Sequence, residues 1–316
     1  MSDGTHLLIP FAASAAPGCR ETLAGLRLPH LERVLARLAP AQDAGHDETT
    51  LSMPHEMAVA RECGLGGSDG LLPFAAWELA QAGSAAGGQA WAWVTPCHWR
   101  VGADHVFMHH PQELRLDAQE SQALLAAMRP YFEQDGLRLE YQAPTRWRAA
   151  GPLFAQLPCA SLDRVAGRVI DRWMPRGDTG KPLRRLQQEM QMLLYTHDVN
   201  EERTRGGQLP VNSFWVSGNG VLPQPAPSRP AGLLVTQVLR HPALAEDWAS
   251  WAGAWRQIDE TQVAPLRARL DAGEPVAVTL CGDRIARTWR SAGAGWPQRL
   301  GRWLPPRPAT TWLEPL

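Results

Sequence analysis

The sequence predicts an α/β protein in which a discontinuous α/β core is interrupted by an inserted α+β domain. Three observations lead there. Apolar strand runs followed by helical stripes stand at both ends of the chain. The middle alternates helices with half-buried strands and lacks that order. Between middle and end, "VLPQPAPSRPAG" at 221–232 denies both a helix and a central strand, and so marks a crossing between domains. The expected division is a core of 1–88 and 226–316 around an insert of 89–225.

Each element follows from its own pattern. "HLLIPFA" at 6–12 reads as a buried strand. "LPHLERVLARLAP" then sets Leu31, Val34, Leu35 and Leu38 on one helical stripe between Pro29 and Pro40. Residues 71–82 read as helix, "GSAAGG" interrupts, and "QAWAWVTP" alternates small residues with tryptophan as a strand does. "DAQESQALLAAMRPYFEQDG" opens with Asp117 and Glu120 in capping-box spacing and stops near Gly136. "LRLEYQ" points Leu137, Leu139 and Tyr141 to one side. In "PLRRLQQEMQMLLYTH", Leu183, Leu186, Met190 and Leu193 share a helical face. Beyond the crossing, "LLVTQVL" reads as a strand, and 243–270 as a helical region that Pro265 kinks, with Trp248, Trp251 and Trp255 on one face. "PVAVTLC" is a second buried strand, and the tail "LPPRPATTWLEPL" reads as extended.

A net charge of -1 over 316 residues argues against a broad nucleic-acid or anionic-membrane surface. No apolar run approaches the roughly 20 residues that cross a bilayer. Cys19, Cys63, Cys97, Cys159 and Cys281 are odd in number and form no C-x-x-C pair, which predicts reduced thiols and a cytoplasmic location. The opening "MSDGTHLLIPFAASAAPG" lacks a basic leading region and reads as a strand rather than a signal.

The chain holds three asparagines, Asn200, Asn212 and Asn219, all inside 195–223, and a single lysine, Lys181. Alanine, arginine, glycine and proline dominate elsewhere, as they do under GC-rich codon drift. Positions that keep asparagine under such drift need an amide that both donates and accepts. "SGNG" reads as a tight turn with Asn219 at positive φ. His98, His105, His109 and His110 lie in extended chain where 98 and 105 point to opposite faces, so they read as hydrogen-bonded or solvent-facing side chains rather than a metal site.

The spacing H-x-x-N-x-x-R-x-x-x-G-x-x-P-x-N, from His197 through Asn200, Arg203, Gly207 and Pro210 to Asn212, resembles the archaeal-type cofactor-independent phosphoglycerate mutases of the alkaline phosphatase superfamily. "LPHLERVLAR" and "QIDETQVAPLRARLDAGEPVAVTLCGD" are similar to that superfamily's early helix and its last core helix and strand. The resemblance implies an alkaline-phosphatase-like core. It also implies phosphoryl transfer through a serine or threonine activated by two divalent ions on Asp and His ligands. Arg148 in "PTRWRA" falls where the family places an arginine, a residue suited to bidentate phosphate or carboxylate pairing.

The chemical positions depart from the family. The first strand runs on as "IPFAAS" where an aspartate ligand belongs. "LSMPHEMAVARECGLGG" puts Pro54 or His55 near the expected hydroxyl, with Ser52 the nearest substitute. "QVLRHPALAEDW" offers His241 and Asp247, and Arg284 follows Asp283 where histidine is expected. A guanidinium cannot ligate a cation. In this respect the chain is similar to the RpfE-type proteins of proteobacteria, a family named for regulation of pathogenicity factors.

These residues predict a non-catalytic, mutase-like protein without cofactor. Its role is regulatory, through a protein partner or a phosphorylated or carboxylate metabolite bound by Arg148, His197, Asn200, Arg203 and Asn212. The alternatives are an active mutase or phosphatase with a manganese or zinc site rebuilt from Ser52, His55, His241 and Asp283, and a structural interaction protein with no ligand. Neither nucleic acid nor membrane is an expected partner.

Overall fold

The computed structural model of the chain describes residues 4–45, 47–84, 86, 88–291 and 307–316. The first stage holds β1 (Thr5–Ile9), α1 (Pro17–Gly25), α2 (Pro29–Leu35), β2 (Ala39–Ala44) and α3 (Pro54–Glu62). The middle stage begins with α4 (Phe74–Gln81), β3 (Ala90–Cys97), β4 (Trp99–Val101), β5 (Val106–Met108), α5 (Ala118–Gln134), β6 (Arg138–Ala143) and β7 (Arg146–Ala150). It continues through α6 (Leu162–Val165), β8 (Arg168–Val169), α7 (Lys181–Tyr195), α8 (Asp198–Arg205) and β9 (Ser213–Val221). The last holds β10 (Leu233–Val235), α9 (Arg240–Leu244), α10 (Trp248–Ile258), α11 (Ala264–Asp271), β11 (Val276–Cys281), β12 (Ala286–Arg290) and α12 (Thr310–Leu313). Two compact units result. One comprises Met1–Thr49, Met53–Cys63 and Arg229–Leu316, the other Thr50–Ser52 and Gly64–Ser228.

The first unit is built on a five-stranded sheet in the order β10-β1-β11-β12-β2. β10, β1 and β11 are parallel, and β12 and β2 add antiparallel. All six residues of β11 are buried, as an unbroken apolar strand requires when both its faces are covered. Leu7, Ile9, Leu31, Val34 and Leu35 pack with Trp251 and Trp255 of α10 in one core. The helical region expected at 243–270 is divided, and its second break lies just before Pro265. Asp259–Val263 forms a π turn in which Ala264 N–H reaches back to Asp259 O, which widens the ladder where Pro265 has no N–H to give. The tail is also not extended throughout. Thr310–Leu313 is helical, and Trp312 meets Trp289 edge-on at 5.8 Å. Residues 304–306 of that expectation lie outside the described residues.

The second unit carries an antiparallel sheet, β6-β7-β3-β9, and a small one, β4-β5-β8. One face of the larger sheet buries Trp147 and Phe214 against Leu124, Met128 and Phe132 of α5 and Leu186 and Met190 of α7. The other face takes α4, where Phe74 stacks on Trp93 at 6.3 Å and Glu78 pairs with Arg146. These contacts place residues 64–84 with the inserted unit, where the sequence division had assigned them to the core. "SGNG" does not form the expected tight turn. It lies inside β9, with pairs Trp91↔Gly220 and Trp93↔Ser217 enclosing a bulge, and Gly218 takes the positive φ of 61°. A Cβ at Gly218 would come within 2.5 Å of the Trp93 ring, so the bulge needs glycine there. All five cysteines are buried and free. Among the described residues no helix is long and apolar enough to cross a membrane.

Candidate functional site

Metal chemistry of the expected kind would sit where β1 and β11 end. β1 stops at Ile9 and the chain continues into Phe11, whose φ of 57° is uncommon for an aromatic residue and costs about 1–2 kcal/mol. Hydrogen bonds hold it there. Trp251 Nε1 donates to Phe11 O (2.9 Å), Trp255 Nε1 donates to Ala12 O (3.2 Å), and Ala12 N–H donates to Cys281 O (2.7 Å). Phe11, Trp251 and Trp255 are all buried in the core of this unit, and His55, in the first turn of α3, lies 5.1 Å from the Phe11 ring. The end of β1 is therefore lined by aromatic rings.

Past β11, Asp283 Oδ2 accepts Ser14 Oγ–H (2.7 Å) and Ala15 N–H (3.0 Å), which pins the loop leading into α1. Arg284 and, on α9, His241 are exposed. Ser52 belongs to the other unit and is buried. Its hydroxyl accepts Gly70 N–H (2.9 Å), its own N–H donates to Asp69 Oδ1 (2.7 Å), and Arg164 donates to its carbonyl. Among the described residues no three of His, Cys, Asp and Glu are grouped so as to hold a metal ion. The donor set at the strand ends does not fit two divalent cations, which need converging oxygen and imidazole ligands.

The family-like stretch is built differently. His197 caps α8, its Nδ1 accepting Val199 N–H at 3.2 Å. Asn200 is buried and uses both ends of its amide. Nδ2 donates to Leu194 O (2.8 Å) and Val211 O (2.7 Å), and Oδ1 accepts Val211 N–H (2.8 Å). Arg203, 1% exposed, donates to Leu209 O (3.0 Å), to Leu114 O and to Glu120 Oε2 (2.6 Å). Asn212 accepts Trp99 N–H (2.7 Å) and donates to Trp99 O (2.8 Å), as a strand neighbour would. Asn219 donates to Leu157 O (2.6 Å). In each of these bonds except the Arg203–Glu120 pair, the partner is backbone.

Arg148 stands apart from that set. The strand register places it in a cross-strand row with Glu140, Trp93 and Ser217, on the face away from the α5–α7 core. Its Nε is buried with no hydrogen-bond partner among the described residues. Glu140 is engaged by Arg138 at 2.9 Å, and Arg146 stacks over Trp93 at 4.3 Å. Of the histidines of 98–110, His98 Nδ1 bonds Pro210 O (2.8 Å), His109 Nδ1 bonds Glu113 (3.0 Å), His110 Nδ1 accepts Gln112 N–H (3.3 Å), and His105 is exposed. The His98 and His109 rings meet edge-on at 5.3 Å, a pairing that depends on β4 and β5 lying side by side.

One polar chain escaped the sequence reading. His6 bridges Glu62 (Nδ1, 3.2 Å) and Thr279 (Nε2, 2.7 Å), and Thr279 meets Thr288 (2.7 Å). The signal was present in "HLLI", since a histidine in a buried strand needs partners. Thr279 is fully buried, so this carboxylate–imidazole–hydroxyl chain acts inside the core.

No family model matches the chain. It is 34% identical over 76 residues to the 2,3-bisphosphoglycerate-independent phosphoglycerate mutase of Methanosarcina mazei, a match covering 24% of this chain and 19% of that protein. The enzyme of the same name from Methanothrix thermoacetophila is 29% identical over 126 residues, covering 36% of this chain and 31% of its own. The match thus spans about a fifth to a third of these curated relatives. Among solved structures, a cofactor-independent phosphoglycerate mutase from Thermoplasma acidophilum aligns at TM-score 0.36 and 14% identity, over 92% of this chain and 90% of that one. A protein from Pyrococcus horikoshii aligns at TM-score 0.46 and 12% identity, over 94% and 90%.

Proposed function

We propose that this relative of the archaeal-type cofactor-independent phosphoglycerate mutases is non-catalytic, and that it holds a small phosphorylated or carboxylate anion in a regulatory role. The observation that carries the reading is the aromatic filling at the end of β1. Phe11 stands near where the resemblance calls for an aspartate, and Trp251 and Trp255 are bonded to the backbone beside it. Asp283 is engaged with Ser14 and Ala15, and Arg284 stands in sequence where the resemblance calls for a histidine, although a guanidinium cannot ligate a cation. Ser52 is buried with its hydroxyl accepting Gly70 N–H, and among the described residues no group of His, Cys, Asp and Glu could hold a metal that would lower its pKa.

Arg148 supports the anion-binding half. A buried guanidinium nitrogen without a partner is costly unless something satisfies it, and a phosphate or carboxylate oxygen suits it. On this reading His197, Asn200, Arg203 and Asn212 contribute by fixing the backbone around α8 and β9, while Arg148 touches the ligand. Calorimetric titration of 2- and 3-phosphoglycerate tests it. Wild type should bind one of them without turnover, and Arg148→Ala should lose about 1.5–3 kcal/mol of affinity. Equal affinity in wild type and Arg148→Ala, or no binding by wild type, contradicts the proposal.

A further inference from the structure

We propose that the open edge of β10 in the first unit docks an extended acidic peptide, which adds to the five-stranded sheet as a sixth strand. Among the described residues β10 is the last strand of its sheet, with β1 on one side only. The register decides which groups remain available. His6 N–H donates to Gly232 O (2.8 Å) and Thr236 N–H donates to Leu8 O (3.1 Å). In a parallel ladder that pattern turns Leu234 toward β1 and Leu233 and Val235 away from it. Leu233 uses its outward groups locally: its N–H donates to Pro230 O (3.0 Å) and its carbonyl accepts from Arg229 (3.2 Å). The N–H and C=O of Val235 face the open side, as the edge groups of a strand-addition site do.

The edge is short but otherwise unguarded. Within β10 there is no lysine, proline or inward charge of the kind that blunts an exposed edge, and Leu234 is 52% exposed. Beside it runs a cavity of about 850 Å³, walled by β10 on one side and by Gln262, Pro265 and Arg269 on the other. Gln262 is held in place by donating to Thr236 Oγ1 at 3.2 Å.

Charge selects the occupant. Among the described residues the lining includes Arg229 and Arg269 and neither Asp nor Glu. Arg269 donates to Thr5 Oγ1 (3.0 Å) and touches Glu274 (3.3 Å), which lies outside the lining. A second copy of the strand would set these arginines against their own images, whereas a peptide with alternating carboxylates meets them with opposite charge. Its main chain would pair with Val235, and every second side chain would enter the cavity.

Fluorescence anisotropy with the full chain tests the proposal, using a labelled octapeptide of alternating valine and glutamate. Comparison probes carry lysine for glutamate, or N-methylated amides on the pairing edge. The acidic octapeptide should bind saturably. The lysine version, and the acidic one against Arg229→Glu/Arg269→Glu, should be weaker by at least about tenfold. N-methylation should cost about tenfold through the lost main-chain bonds. So should Val235→Pro, which removes an outward N–H at an edge position where proline is tolerated and should therefore leave the melting temperature unchanged. If Val235→Pro fails to fold, the N-methylated probe against wild type decides. The proposal is overturned if the acidic octapeptide does not bind or if N-methylation leaves binding intact. It is equally overturned if inorganic phosphate or glutarate displaces the probe at matched concentration, or if self-association of the chain through β10 excludes it.

Discussion

From α8 into β9, polar side chains turn inward and grip backbone, while at the ends of β1 and β11 aromatic side chains turn inward and the polar ones tie down loops. The first region carries the spacing that resembles the mutases, and the second departs from that resemblance. The contrast teaches why they diverge. Asn200, Arg203 and Asn212 satisfy buried carbonyls and N–H groups of Leu194, Val211, Leu114, Leu209 and Trp99, a need that exists whether or not the protein turns over substrate. Metal ligands are different. Without the ion, a cluster of buried carboxylates is a liability, and aromatic packing is the more stable filling.

The comparison breaks most visibly at Arg203. Arg203→Ala takes the cation from Glu120, which keeps the Asp117 N–H, and leaves the Leu114 and Leu209 carbonyls without that donor, so it should lower the stability of the second unit by about 3–5 kcal/mol. Arg203→Lys should recover little of that, since an ammonium cannot span three acceptors in a fixed fork. Urea unfolding followed by tryptophan emission measures both, and a stable Arg203→Ala would mean that the stretch is not the structural element described. Asn200→Ala comes next at about 1–3 kcal/mol, because the Val211 N–H and carbonyl both lose the Asn200 amide, while the Leu194 carbonyl keeps the N–H groups of Thr196 and His197. Asn200→Asp should be no better, since it sets a charge against two carbonyl oxygens.

Acid sharpens the comparison in the other unit. The hydrogen bond from His6 does most to hold the Glu62 carboxyl down from 4.5 to about 2; burial opposes it next, and Arg290 adds a further lowering. Between those values the unfolded chain binds a proton that the folded chain refuses, so stability present above pH 4.5 is lost as pH falls toward 2. Glu62→Gln should be less stable at neutral pH and should flatten that slope, as read from melting temperatures across the interval. An unchanged slope would take Glu62 out of the account.

Local signals were readable and distant ones were not. The Asp117–Glu120 capping box and the face shared by Trp251 and Trp255 follow from spacing along one helix, and both appear in the structure. By contrast, Asp259 receives the N–H groups of His30 and Leu31 from across the fold, and His6 finds Glu62 and Thr279 on other elements. No periodicity encodes such partners. The placement of α4 likewise rests on Phe74 meeting Trp93, a contact between segments that the sequence division had separated. The asparagines were legible as special, through composition, but their backbone partners were not. "SGNG" misled because a glycine-rich bulge and a tight turn share one composition, and only the pairing with β3 tells them apart.

The central proposal is that this mutase-like chain works without metal chemistry, and metal content with turnover tests it most directly. Protein purified with manganese and zinc present should carry neither in stoichiometric amount by elemental analysis. It should also fail to interconvert 2- and 3-phosphoglycerate, with Ser52→Ala indistinguishable from wild type. Stoichiometric metal together with turnover that Ser52→Ala abolishes in folded protein would contradict the account.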